Sequence, residues 1–411
     1  MREAPEREVP YAWVVVALAF FSLAVGMGIR STLGLLVHPW EREFGWDRAA
    51  VSLTASVGFL VYGLSQPLAG RWADRYGPRV VFAGSLALIG LSTAAVALVR
   101  NLWQAYLIFG AGLMAGVAGA SNVPAAVAIA RWIKRRKALA VGITMGGAAA
   151  GQLVIVPAIA ALIKAWGWRT AFLWTGIAVV AVAAPLVGLF LRNDPPGGAE
   201  ARAAADRSDG PAMPLGAIAR QKNFWWLAGS FWVCGLTTAG LIDTHLIPYA
   251  QDIHIDPITA ATAFGVLGTF NVLGTIVSGA VSDRFGHKWV LGWVYAGRAV
   301  TLVFLPMVRE PVMLFVFAVA FGLVDFATVP PTTTLSTTLF GRRAGGTVVG
   351  LVSLSHQIGS AMGSYAGGFI HDAAGSYLPF FLAGAAWCIA AAAMSWAIAD
   401  TPAAEAAPAP A

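Results

Sequence analysis

Six ionisable side chains stand inside long apolar stretches of this chain: Arg30, Asp243, His245, Arg298, Asp325 and His356. A charge in such surroundings is costly unless it faces a polar path or a partner. Arg30 offers a planar fork of donors suited to a carboxylate. Asp243, Asp325 and the two histidines can take up and release a proton. Each also has a plainer reading. Arg30 can snorkel to a membrane interface, and Arg298 with Asp325 can be a buried ion pair that fixes two helices. Asp243 and His245 can be solvated at an outer edge, and His356 can be a packing histidine. Asn122 and Gln152 add polar groups in neighbouring runs. No Cys/His spacing suggests a metal, and no Ser–His–acid grouping shares one depth. Neither a metal, a cofactor nor an enzyme is therefore expected. Cys234 and Cys388 both lie in apolar runs and imply no disulfide framework.

The surroundings of these residues decide what solvent they meet. The chain is 58% hydrophobic and 11% charged, with mean hydropathy +0.71, against roughly 25% charged for a soluble domain. So much apolar surface requires a lipid bilayer as solvent. The net charge of +7 does not point to nucleic acid, because the basic residues form short clusters and no continuous face. The first apolar run continues past the length of a signal core without an A-x-A-like site, so no cleavable leader is expected.

Stretches near the ~20 residues of a spanning helix predict twelve helices. They fall at about 11–36, 49–70, 80–99, 102–131, 138–163 and 170–191, then at about 223–250, 258–281, 289–308, 311–338, 344–370 and 376–398. The expected fold class is thus an all-α membrane protein with six-helix bundles at 1–192 and 223–400. Between them, 193–222 opens with Asn-Asp-Pro-Pro-Gly-Gly and reads as a linker. The Ala/Pro-rich residues 401–411 read as a disordered tail. Asp47 is placed to cap the second helix, and Asp256-Pro257 the eighth. Pro330-Pro331 should kink helix 10 in its inner part. Gly146, Gly147, Gly151, Gly359, Gly363, Gly367 and Gly368 sit at small-residue spacings that let helices approach closely.

Two internal repeats tie the halves together. Gly70, Asp74, Arg75, Gly77 and Arg79 recur 209 residues later as Gly279, Asp283, Arg284, Gly286 and Lys288, each set forming a tight charged turn between apolar runs. Gly142, Gly151, Gly167, Phe172 and Gly176 recur at 208 as Gly350, Gly359, Gly375, Phe380 and Gly384. Duplicated halves place a binding site where they meet. Asp74 and Asp283 could receive the positive end of a neighbouring helix, or the loop's arginines could serve only to hold it inside. Of the 27 Lys+Arg, 19 fall on the side of the termini, which puts both termini in the cytoplasm of a cell membrane. At 1.5 Å per residue, Arg30 and Asp243 lie ~27 Å from that side, toward the outer face. His245 joins that layer, and Arg298, Asp325 and His356 form a deeper one.

The repeated Gly-x-x-x-Asp-Arg-x-Gly loop resembles the signature of the major facilitator superfamily, and the likeness covers nearly the whole chain. Trp13-Val14-Val15-Val16, Phe44-Gly45-Trp46-Asp47-Arg48 and Arg135-Arg136-Lys137-Ala138 further resemble the monocarboxylate transporter family, as do Ala327-Thr328-Val329-Pro330-Pro331-Thr332 and His371-Asp372-Ala373-Ala374-Gly375 of its bacterial relatives. The resemblance implies two pseudo-symmetric bundles with helices 1, 4, 7 and 10 lining a central cavity. It implies alternating access, and a loop around Asp74 and Arg75 that latches the cytoplasmic side in the outward-open state. Arg30 matches the family's basic position in helix 1. The acid and arginine that the family keeps late in helix 8 are replaced here by Asn271 and Thr275. The expected function is a transporter of a small organic anion by proton symport or exchange, acting as a monomer on a small-molecule substrate. The alternative is an exporter of hydrophobic compounds, suited by Trp225, Trp226, Phe231 and Trp232. A lone Arg30 favours the anion, and an Arg30 neutralised by Asp243 the uncharged cargo.

Overall fold

Residues 11–133, 137–195 and 215–399 are described by a computed structural model. Among them, eleven helices are long and apolar enough to cross a membrane. These are α1 (Tyr11–Phe44), α2 (Arg48–Tyr76), α3 (Pro78–Val96), α4 (Leu102–Trp132), α5 (Leu139–Trp166) and α6 (Trp168–Phe190), then α7 (Lys222–Asp252), α8 (Pro257–Phe285), α9 (His287–Met307), α10 (Pro311–Phe340) and α12 (Leu378–Trp396).

The remaining pass, α11 (341–374), is continuous in helical assignment with the end of α10, a run of 46 residues over Val329–Ala374. Straight, that run would measure ~69 Å, about twice the hydrocarbon thickness. Its contacts along α7 show that it folds back. Thr328 meets Cys234 on the way down, whereas Ser355, Ser364 and His371 meet Ala228, His245 and Asp252 in turn on the way up. Twelve passes therefore form two six-helix bundles, with Tyr11 and Ala399, the first and last described residues, on one face, the termini face, and the α1–α2 turn on the other, the far face. Most of the expected linker, 196–214, and the tail 401–411 lie outside the described residues.

Duplication is visible in individual contacts. A Cβ on Gly151 would collide with the Ala24 carbonyl, and one on Gly359 with the Trp232 carbonyl, both partners being 208 residues apart. Only glycine allows α1 to lie so close to α5, and α7 to α11. Gly77 and Gly286 both take positive φ, 89° and 90°, a conformation open to glycine and strained for other residues.

Those glycines also correct the expected turns. Residues 70–76 are helical, and the chain reverses at Gly77, after which Pro78 opens α3. Pro78 fits a first helical turn, where a missing N–H costs nothing. Each loop is tied to the end of its own half, the first to the last helix and the second to the residues just after it. Arg79 Nε donates to the Gly188 carbonyl (2.6 Å), and Lys288 Nζ to that of Ile398 (3.2 Å).

The helix caps divide. Asp256 accepts from the amides of Ile258 (3.0 Å) and Thr259 (3.4 Å), as expected. Its carboxyl is held below the usual range by the hydrogen bond from Lys164. Asp47 makes no capping bond. The N-terminus of α2 is instead capped from the other half, where Asp372 accepts from the amides of Arg48 (3.3 Å) and Ala49 (2.7 Å).

Candidate functional site

The helix that carries Arg30 is interrupted just after it. Helical geometry runs over Tyr11–Arg30 and resumes at Leu33–Phe44, with Thr32 Oγ1 donating to the Ile29 carbonyl at 2.7 Å. Because α1 continues 14 residues beyond Arg30, another ~21 Å, Arg30 lies near the middle of the helix. The expectation of a place toward the outer face is corrected. It rested on ending the helix at 36, where polar residues begin.

On the facing half, α7 widens into π-helical turns over Leu236–Asp243. Such turns re-aim side chains, and Asp243 is the last residue of this one. Arg30 Nη2 and Asp243 Oδ2 meet at 3.2 Å, with the side chains 15% and 13% exposed. The guanidinium lies 5.1 Å from the ring centre of Phe59 and 5.5 Å from that of Tyr62, within the range of cation–π attraction. Around the pair, Leu33, Ala55, Phe59, Phe109 and Met114 line a cavity of about 20 Å³, which holds about one water. Gln152 reaches from α5 to the α1 interruption, its Nε2 donating to Ser31 Oγ at 3.3 Å.

Among the described residues, the other expected ones make no hydrogen bond or ion pair with Arg30 or Asp243. His245 is fully buried, with Nδ1 on the Tyr377 hydroxyl (3.0 Å) and Nε2 on the Ser364 carbonyl (2.8 Å). Both ring nitrogens are used in packing, so it does not join Arg30 and Asp243. His356 lies against Phe231, 4.8 Å between ring centres, with Nδ1 3.4 Å from Ser360 Oγ. Asn122 is exposed beside the interruption in α4. Trp225 is 60% exposed, and Trp232 packs on Trp387 of α12. The aromatic rings that meet Arg30 thus come from α2, with Phe109 of α4 in the cavity wall.

The deeper layer is organised by a second interruption. A tighter turn at Phe326–Thr328 precedes Pro330-Pro331, so the kink falls one turn above the prolines. Prolines remove backbone donors and free carbonyls. Fully buried Arg298 holds the two carbonyls just before the tighter turn, Nη2 donating to those of Val324 (2.9 Å) and Asp325, and Nη1 to Thr237 Oγ1 (3.3 Å). Ser278 Oγ donates to the Ala327 carbonyl at 2.5 Å. Among the described residues, no ion pair joins Arg298 to the Asp325 carboxylate. Arg298 fixes α9 to α10 through the backbone, a correction to the expected pair. The Asp325 side chain accepts from Asn271 Nδ2 at 2.9 Å and leaves Oδ1 without a partner.

Bonds between the halves gather toward the far face. Ser56 Oγ donates to the Ala361 carbonyl (2.7 Å) and Ser364 Oγ to that of Ser52 (3.1 Å), both between α2 and α11. Lys164 pairs with Asp256 at the surface (3.0 Å), and buried Arg48 with Asp252 (2.5 Å). The local pattern gave no sign of this last pair. On the termini face, Asp74 and Asp283 are exposed. Arg131 holds the carbonyls of Ala73 and Asp74, at 2.8 and 3.1 Å, within one half. Arg75 and Arg284 lie over Tyr76 and Phe285.

The chain is similar to known transporters along most of its length. It is 26% identical to Monocarboxylate transporter 13 of Bos taurus over 390 residues, 92% of this chain and 87% of that protein. It is also 26% identical to the uncharacterized MFS-type transporter YcxA of Bacillus subtilis (strain 168), with 92% of each covered. Its fold matches the solved structure of a bacterial homolog of the human lysosomal transporter Spinster, with TM-score 0.73 and 18% identity, covering 94% of this chain and 96% of that one. The family model of the Major Facilitator Superfamily matches residues 16–271 and 233–411, and with its duplicated twelve-helix fold the chain belongs to that superfamily of membrane transporters.

Proposed function

We propose that the chain is a secondary transporter that moves a small, monocarboxylate-like organic anion by alternating access, with proton symport or exchange. The observation that carries this reading is the 3.2 Å pair between Arg30 and Asp243, drawn from opposite halves and walled by aromatic rings. A substrate carboxylate can take the place of Asp243 on the guanidinium fork. Binding would then loosen a link between the halves. The similarity to a monocarboxylate transporter supports the same class of cargo. Asp243 and Asp325 are the groups proposed to handle the proton, Asn271 holding the second. Gln152 supports the α1 interruption. The excess of basic residues on the termini face supports cytoplasmic termini in a cell membrane, and residues 193–222 serve as the link between the bundles of a monomer. The loops around Asp74 and Asp283 act as latches of that side in the outward-open state.

Purified protein in liposomes tests this with labelled monocarboxylates, with and without an inward proton gradient. Saturable uptake of at least one, accelerated by the gradient and lost in Arg30→Ala, is expected. Absence of uptake across the panel would overturn the anion reading. One observation favours the second reading, an exporter of hydrophobic compounds. In this state Asp243 neutralises Arg30, leaving a cavity without net charge. Efflux of a lipophilic dye that persists in Arg30→Ala would select the exporter.

A further inference from the structure

At the far face, α1, α7, α11 and the turn before α12 bring four polar side chains onto one arginine. Arg48, at the start of α2, is 4% exposed. Its Nε and Nη2 donate to Glu41 at 2.6 and 3.0 Å, while Nη1 and Nη2 donate to Asp252 at 2.5 and 3.2 Å. The Tyr377 hydroxyl (3.3 Å) and His371 Nε2 (3.1 Å) also meet Nη1. His371 Nε2 lies 3.4 Å from Asp252 as well, and its Nδ1 lies 3.7 Å from Asp372. Glu41 and Arg48 belong to one half, and Asp252, His371, Asp372 and Tyr377 to the other. The cluster therefore bridges the seam that must part when the far face opens.

His38 occupies a particular place in it. Its Nδ1 is 3.1 Å from Glu41 Oε2, and its Nε2 is 3.3 Å from Asp252 Oδ1 and 3.4 Å from the Pro248 carbonyl. An ionised carboxylate accepts and cannot donate, and so does a carbonyl. Both ring nitrogens must then carry hydrogen to bond as they are placed, a condition met only by the imidazolium. If one carboxylate held the proton instead, the group of three would still contain one proton more than a neutral imidazole and two carboxylates. The charges favour the same proton: Glu41, Asp252 and Asp372 bring three carboxylates to the cluster against the single fixed cation Arg48, and a protonated His38 offsets one of the two unmatched negative charges.

We propose that His38 is a proton-binding site of the far-face closure, and that a proton taken from the medium on that side ties α1 to α7 and favours the closed state. The proton adds to a ring nitrogen and no other bond is made or broken. The site stands on superfamily membership and is independent of what Arg30 binds. Glu41 on its own helix, Arg48 on α2, Asp252 on α7, and His371, Asp372 and Tyr377 from the other half are the groups that set its response.

Far-face spin labels at Leu98→Cys and Met307→Cys, in full-length protein lacking Cys234 and Cys388, report the opening as a distance between the halves. In lipid nanodiscs, the short-distance population should grow as pH falls from 8.5 to 5.5. One linked proton permits a change in the closed-to-open ratio of up to about tenfold per pH unit. His38→Gln should abolish the response, and His38→Arg should hold the short distance at both pH values. His371→Gln should leave a pH response in place. A wild-type distance distribution that ignores pH would overturn the proposal. So would an unchanged response in either His38 variant, and the wild-type reading needs no substitution at position 38.

Discussion

Replacing Asp243 by Asn separates substrate binding from the return of the empty carrier. In the structure Arg30 has one carboxylate partner among the described residues, Asp243 at 3.2 Å, and an anion that binds Arg30 must displace it. A hydrogen bond to a charged group contributes about 1.5–3 kcal/mol net. The substituted amide would still offer Arg30 a neutral acceptor, so the gain for the anion lies at the lower end, about tenfold in Kd. The empty state pays in the opposite direction. Removing one partner of a buried pair costs about 3–5 kcal/mol, and less here because both side chains keep some exposure. Net uptake requires the empty carrier to reorient with Arg30 uncompensated, whereas exchange does not. Asp243→Asn should therefore bind a transported carboxylate more tightly, exchange it, and lose net uptake by at least ~10-fold. Proteoliposomes loaded with and without internal substrate measure the two modes side by side. Equal loss of both modes, or weaker binding, would refute the competition between Asp243 and substrate.

Arg30→Lys keeps the charge but loses the planar fork, so carboxylate binding should weaken by about tenfold and Arg30→Ala should abolish it; equal affinity in all three proteins would remove Arg30 from the site. Asp74→Asn should slow transport while leaving folding and insertion intact, because the Asp74 carboxylate is exposed in this state; unchanged rates in both directions would dismiss the latch. Gly359→Ala places a Cβ against the Trp232 carbonyl and should cost about 1–3 kcal/mol through overpacking, read as an earlier thermal transition. Gly142→Ala, where a Cβ meets no atom within 4 Å, is its control and should melt with the wild type.

Much of the architecture was readable because it is local. Apolar runs set the spans, and equal spacing of Gly77 and Gly286 announced equal turns. Asp256 could be read as a cap because the amides it accepts from are two and three residues away. The far-face cluster escaped for the opposite reason. Arg48 meets Asp252 and His371 across 204 and 323 residues, separations that leave no trace in local pattern. Hydropathy also misleads at such a place, since His38 and Glu41 look like a loop after an apolar run. In fact they lie on the last turns of α1, where Arg48 pairs with Glu41 and the opposite half supplies Asp252 to His38. His245 was misplaced by depth alone. Rise along a helix gives height but not the side faced, and Tyr377 and Ser364 claim the ring.

The cap on α2 has a kinetic reading. A helix usually carries its own cap, so its first amides stay shielded however the molecule moves. Here the oxygens that shield the amides of Arg48 and Ala49 belong to Asp372 in the other bundle. In the proposed alternating-access cycle, each parting of the far face would bare these two amides to water, and each closure would cover them again. Their deuterium uptake would then be a built-in clock for that cycle, ticking when the halves separate and stopped by anything that holds them together.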